Sequence, residues 1–146
     1  MKWVVDTNVL SELPRPSPNR AVVRWFQSTP AETLFVTSVT LAEIRGGIRL
    51  QADVARAKVI EDWLEGVVRP AFLERTLEAD EDALVTWRLL SRQAQKRGRP
   101  APPVDLLIAA IAVNADAAVV TRDAASFALA GVPVYNPWTD ERFNPG

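Results

Sequence analysis

The chain predicts an α/β fold: a parallel β-sheet flanked by α-helices on both faces, within one domain covering residues 1–146. Three observations predict it. Short apolar runs of strand type alternate along the chain with segments of helical spacing. The run Ala118 to Thr121 reads as a buried strand, and strands that alternate with helices are covered on both faces. Finally, 146 residues of 48% hydrophobic content suffice for a sizeable core, and no internal repeat, low-complexity tract or second domain interrupts them.

The elements follow in order. Lys2 to Val5 reads as a strand that ends abruptly at Asp6. Pro14, Pro16 and Pro18 mark an exposed loop. Asn19 to Gln27 has helical spacing, with Val22, Val23 and Phe26 on one side. Leu34 to Val36 is a second strand. Thr37 or Ser38 then caps a helix running through Leu41, Ile44 and Ile48. Val54 to Leu64 is amphipathic, and Gly66 is expected to close it. Thr76 and Leu77 form a minimal strand. Asp80, Glu81 and Asp82 open a long helix and Arg92, Lys96 and Arg97 close it, both matching the helix dipole, with Gly98 as the stop. Pro100, Pro102 and Pro103 form a connector. Pro103 suits a first-turn position, launching Val104 to Val113, which is apolar nearly all round and so expected to be buried. Ala118 to Thr121 and Val132 to Tyr135 complete the strands.

Composition removes several kinds of chemistry. Without cysteine there is no disulfide, thiolate metal site or thiol nucleophile; without histidine, zinc sites of the usual kind and serine–histidine catalysis lose their central residue. The apolar run at the N-terminus stops at Asp6, far short of a signal peptide or a membrane span, which predicts a cytoplasmic protein. A net charge of −1 argues against nucleic-acid binding by bulk charge alone. Lysine occurs only at Lys2, Lys58 and Lys96, so most of the positive charge is arginine, whose planar fork matches phosphate.

Four acids stand at separate points beside apolar runs: Asp6, Glu43, Asp105 and Asp123. Each has a structural reading. Asp6 can cap a turn, Glu43 completes a capping-box pattern with Thr40, Asp105 suits a helix N-terminus, and Asp123 can form an Asx turn. Together they point elsewhere. Ligands of an open α/β sheet gather outside the carboxyl ends of its strands, where Asp6 and Asp123 belong. Asp105 reaches that edge if its helix begins there, and Glu43 can lean inward from its helix. Two carboxylates about 4 Å apart repel by roughly 4 kcal/mol at an effective dielectric near 20. Converging acids therefore call for a cation, and oxygen-only ligands select a hard one, magnesium or manganese. Thr7, Asn8 and Thr121 can hold the acids by hydrogen bonds, or serve only as turn residues.

The segments DTNVLSE, SVTLAEIRGG, VDLLIAAIA and VVTRDAASF, in that order, resemble those of PIN-domain ribonucleases and, more narrowly, of VapC-type toxins of bacterial toxin–antitoxin pairs. The closing VPVYNPW is similar to the FitB-like branch, and the resemblance runs from Val4 to Trp138. It implies a helix-sandwiched parallel sheet and magnesium- or manganese-dependent endonucleolytic cleavage of RNA. It matches Asp6, Glu43, Asp105 and Asp123 to the family's metal-binding acids, and Thr7, Asn8 and Thr121 to its supporting polar positions. It further implies a homodimer, a small VapB-like antitoxin that covers the acidic pocket, and promoter DNA contacted only through the antitoxin complex.

Arg122, between Thr121 and Asp123, is a candidate phosphate contact, and Arg45 and Arg49, one turn apart, are candidates for a basic rail with it. Arg15 and Arg20 flank the proline loop, with a solvated surface as the plainer reading for all five. Trp3, Trp25, Trp63 and Trp87 read as core or subunit interface rather than base-stacking groups. Tyr135 and Trp138 can pack the tail onto the body. A haloacid-dehalogenase-type phosphatase would want an aspartate where Asn8 stands, and a receiver domain a lysine beyond Lys96. The non-enzymatic alternative is a catalytically weak PIN-fold binding module, acting as corepressor with an antitoxin.

Overall fold

A computed structural model of the chain describes residues 1–99 and 101–145; Pro100, expected in the connector, lies outside them. Strand β1 (Trp3–Val5) leads into a one-turn helix, α1 (Thr7–Leu10), and α2 (Arg20–Ser28) follows the proline loop. Then come β2 (Leu34–Thr37), α3 (Ser38–Leu50), α4 (Val54–Trp63), the short α5 (Arg69–Ala71) and β3 (Thr76–Leu77). The chain closes with α6 (Glu81–Lys96), α7 (Pro103–Asn114), β4 (Ala118–Val120), α8 (Ala124–Ala128), β5 (Val134–Asn136) and β6 (Glu141–Phe143). No helix among the described residues is long and apolar enough to cross a membrane.

The sheet order is β3-β2-β1-β4-β5-β6. Every pairing is parallel except β5 with β6. From β1 the chain turns first to β2 on one side and later to β4 on the other. That reversal makes a crevice at the carboxyl ends of β1 and β4, the place where open α/β sheets bind ligands. Strand alternation sorts the core into two layers. Val5, Val36, Val120 and Tyr135 face one, packed with α1 to α4 and with Phe72 just after α5; Val4, Val119 and Val134 face the other, packed with Ile108, Ala109 and Ala112 of α7 and Phe127 of α8. Both faces of the sheet are thus covered, as predicted.

Local capping chemistry starts the helices where the sequence places it. Thr37 accepts the Thr40 amide at 3.1 Å, Asn19 accepts those of Ala21 and Val22, and Asp80 accepts that of Ala83 at 2.8 Å. Gly98, at φ +66°, ends the turn after α6 in the left-handed conformation that glycine adopts without strain. Asn19 is the cap rather than the first residue of α2.

Three expectations are corrected. Gly66 does not stop α4: the helix widens to a π-turn over Leu64–Val68, in which the Arg69 amide reaches back to the Leu64 carbonyl, and continues into α5. Gly66 is not among the glycines of positive φ, so it lacks the conformation of a helix stop. The wider turn carries both Leu64 and Val68 to the core. In α7 only the middle is fully buried; Val104 and Val113 at its ends are 41% and 42% exposed, because a helix end outruns its neighbours. The last parallel strand is Val134–Asn136, with Val132 buried ahead of it, and it pairs with β6, a strand whose exposed residues give no sequence sign of it.

Candidate active site

The four acids meet at the crevice. Asp6 follows β1 and is tied across to β4 by its amide, which donates to the Val120 carbonyl at 2.9 Å. Its carboxylate is buried, 4% exposed. Oδ1 accepts the Thr7 amide at 2.8 Å, so Asp6 does cap a turn, and Oδ2 accepts the Thr121 hydroxyl at 2.7 Å. Burial pushes its pKa up to about 6 against these two bonds, and the charges of Glu43 and Asp123 push the same way.

Asp105 stands in the first turn of α7, half-buried. Its pKa is raised to about 7, first by burial, then by Asp6, and further by Asp123 and Glu43. The charges of the other three acids thus reach Asp105, and those of Glu43 and Asp123 reach Asp6. None of them takes part in an ion pair within 4 Å among the described residues. Nor are three of them gathered tightly enough there to make a ready metal cage. The cluster is open-mouthed, with Glu43 and Asp123 exposed at its rim.

Glu43 is not part of a capping box. Thr40 lies inside α3, wholly buried, and Thr37 is the cap. Glu43 Oε1 instead lies 2.6 Å from the Thr7 hydroxyl, which is 2.9 Å from the Thr40 hydroxyl. A hydroxyl has one proton and a carboxylate only accepts, so Thr7 donates to Glu43 and Thr40 donates to Thr7. Asp123 makes no side-chain cap for α8, and the Asx-turn reading fails for it. Its amide donates to the Thr121 hydroxyl at 3.0 Å. Thr121 thereby uses its full hydrogen-bonding capacity, donating to Asp6 and accepting from Asp123 and from Asn8 Nδ2 at 3.4 Å. Asn8 Oδ1 also accepts the Arg122 amide at 3.2 Å.

The arginines lie on different flanks. Arg45 and Arg49 bound a hollow of about 250 Å³ with Glu61 and Glu65, on the α4 side. Arg122 has its guanidinium over the Trp138 ring, 5.0 Å from the centroid. Arg15 pairs with Glu12, and Arg20 is exposed. The other tryptophans pack: Trp3 and Trp25 meet edge-to-face at 5.9 Å, Trp63 leans on the core, and the Trp87 indole N–H donates to the Pro103 carbonyl at 3.0 Å. A groove of about 240 Å³ opens beside Thr7 and Glu43, floored by Ile44, Ile48, Ile60 and Trp63.

Two residues had no sequence signal as part of this site. Thr40, which the sequence offers only as the cap of a capping box, completes the Thr7–Glu43 chain from inside α3. Glu12, 6% exposed, accepts the Asn19 amide at 2.8 Å and the Arg15 guanidinium at 3.1 Å, and so anchors the proline loop beside α1.

Comparison with known proteins agrees with the geometry. A family model described as PIN domain matches residues 3–132. The protein is 39% identical over 135 residues to the VapC ribonuclease Y4jK of Sinorhizobium fredii, covering 92% of this chain and 96% of that one. Toxin FitB of Neisseria gonorrhoeae is 36% identical over 137 residues, covering 94% and 99%. The crystal structure of FitAcB from Neisseria gonorrhoeae superposes with a TM-score of 0.88 at 36% identity, covering 93% of this chain and 98% of that one. A family match over most of the chain, relatives of nearly the same length and a sheet crevice holding four carboxylates agree: this chain belongs to the PIN-domain family.

Proposed function

We propose that this protein is a magnesium- or manganese-dependent endoribonuclease of the toxin type, hydrolysing RNA phosphodiester bonds and neutralised by a small VapB-like antitoxin. One observation carries the reading: four carboxylates at the sheet crevice, two of them raised in pKa by burial and by the charge of the others, with no cationic side chain paired to them among the described residues. Relatives named ribonuclease and toxin support it.

The donor set fits a hard divalent cation. It offers carboxylate and hydroxyl oxygen without nitrogen or sulfur, and the raised pKa values of Asp6 and Asp105 mark a charge deficit that such an ion relieves. Magnesium keeps several waters and takes few protein ligands, so it does not require a closed cage of acids. Asp6 and Asp105 would hold the main ion, with Glu43 as ligand or water-orienting group and Asp123 completing the pocket or serving a second ion. When bound, the ion supplies Lewis acidity toward the phosphodiester and acidifies water.

The chain's own residues do the rest. Thr121 and the Thr7 amide fix both oxygens of Asp6, and the Thr7 hydroxyl fixes Glu43. Without the ion Asp105, near 7, holds its proton part of the time at neutral pH, and a bound cation would displace it. Arg122 on one flank, with Arg45 and Arg49 on the other, would contact RNA phosphates. A cytoplasmic homodimer whose antitoxin complex contacts promoter DNA completes the proposal.

The test is cleavage of single-stranded and structured RNAs with magnesium, with manganese and with a chelator, beside Asp6→Asn. Cleavage that needs the metal and dies with Asp6 is the expected result. Cleavage that survives either change overturns the assignment. Absence of cleavage by the free, folded protein favours the corepressor reading instead.

A further inference from the structure

We propose that Trp138 is a positioning residue, whose indole face holds the Arg122 guanidinium at the rim of the acid cluster as a clamp for an RNA phosphate. The inference rests on the nuclease reading above.

Arg122 stands between two site residues, Thr121 and Asp123, with its backbone pinned to Asn8. By charge alone its side chain would fold onto the neighbouring acids. It does not: none of the ion pairs within 4 Å among the described residues includes it, and the guanidinium lies over Trp138 instead. A guanidinium against a ring face is held by the ring's quadrupole while the N–H donors around its edge remain available. Held off Asp123, it leaves the acids to a cation and keeps its own fork for an oxyanion. A phosphate of the RNA backbone is the anion that such a site brings to this crevice.

The platform is fixed. Trp138 is half-buried and packed against the core layer that contains Trp3, Trp25 and Tyr135, whereas Arg122 is exposed. The turn after β5 is built without the indole. The Trp138 amide donates to Asn136 Oδ1 at 2.9 Å, the Tyr135 hydroxyl to Asp140 Oδ1 at 3.0 Å, and the Asp140 amide to the Asn136 carbonyl at 2.8 Å. Since β5 runs parallel to β4, this turn lies at the same sheet edge as Asp6 and Asp123. The ring can therefore be changed while the turn that carries it stays in place.

The experiment is a double-mutant cycle on Trp138→Leu and Arg122→Ala, with Trp138→Phe as the variant that keeps a ring. A short labelled single-stranded RNA is the probe. Its cleavage gives KM and kcat, and its binding in the Asp6→Asn background gives Kd. Trp138→Leu is expected to raise KM and Kd about three- to tenfold with kcat nearly unchanged. Trp138→Phe should recover most of that loss, and Trp138→Leu should add nothing beside Arg122→Ala. A loss that persists undiminished beside Arg122→Ala, or a lower melting temperature with KM and Kd unmoved, assigns Trp138 to packing alone and overturns the proposal. If Trp138→Leu does not fold, the same cycle with Trp138→Phe decides: a loss that vanishes beside Arg122→Ala supports the clamp, and one that persists overturns it. A wild type that binds RNA without cleaving it overturns the nuclease reading and leaves the clamp to the binding cycle. One that neither binds nor cleaves overturns both.

Discussion

The Thr121 hydroxyl donates to the buried Asp6 carboxylate at 2.7 Å, joining residues 115 positions apart. The bond closes the crevice between β1 and β4, because the same oxygen accepts from Asp123 and Asn8 on the way to Arg122. One hydroxyl thus orients a carboxylate and fixes the turn that carries a second.

Thr121→Val keeps the shape and removes all three bonds. It leaves Asp6 Oδ2 and the Asp123 amide without their partner, which costs about 1–3 kcal/mol of stability in urea unfolding. Because the Thr121 bond lowers the Asp6 pKa, its loss raises that pKa further. The acid limb of the pH–rate profile should move to higher pH. A profile that keeps its acid limb while stability falls would reduce Thr121 to a purely structural part.

Metal-free protein should become more stable on acidification. Asp6 has a pKa of about 6 in the folded state against 3.8 for a free aspartate, so the folded state binds the proton more tightly. Below about 4 both states are protonated and nothing is lost. As pH rises through about 4 to 6 the folded state is increasingly penalised, by at most about 3 kcal/mol once both are ionised. Asp6→Asn should flatten this dependence and raise metal-free stability near pH 7.5, while abolishing cleavage. Urea unfolding in chelator between pH 5 and pH 8 (roughly the range in which folded proteins are most stable) measures it; equal slopes in the two proteins would show that Asp6 carries no such penalty.

What the chain announces in advance is what it settles locally. The acidic start of α6 at Asp80 to Asp82, the stop at Gly98 and the end of β1 at Asp6 depend on neighbours within a few positions, and each appears as read. The approach of Asp6, Asp105, Asp123 and Glu43 was inferred from strand ends and from family resemblance, since no spacing between distant segments encodes it. Thr40 reads locally as a capping-box residue, whereas its bond is to Thr7, 33 positions away. The π-turn at Leu64–Val68 escaped because it answers to two core contacts and not to Gly66. Strand β6 has exposed residues and is held by its pairing with β5 and by Arg142 over the Tyr135 ring.

Gly46, in the middle of α3, gives a prediction independent of the site. A Cβ built there meets nothing within 4 Å, and its φ is not positive. Glycine in a helix interior costs roughly 0.5–1 kcal/mol relative to alanine. Gly46→Ala should raise stability by about that amount, read as a higher urea midpoint at unchanged slope. A loss of stability would overturn the reading of Gly46 as an unhindered helix-interior position.

Magnesium should bind with release of protons. Near pH 7 Asp105 is partly protonated and Asp6 less so, and a cation drawn to their ionised forms must displace those protons. Calorimetric titration in two buffers of different ionisation enthalpy should therefore give different apparent heats at pH 7, converging near pH 8.5, roughly 1.5 units above the higher of the two pKa values. Binding should also raise the melting temperature, equivalent to about 2.7 kcal/mol at a free concentration one hundred times Kd. The gain should shrink at pH 5, where protons compete for both acids. Asp105→Asn should remove most of the buffer dependence, and magnesium heats that are the same in both buffers at pH 7 would place the ion away from Asp105.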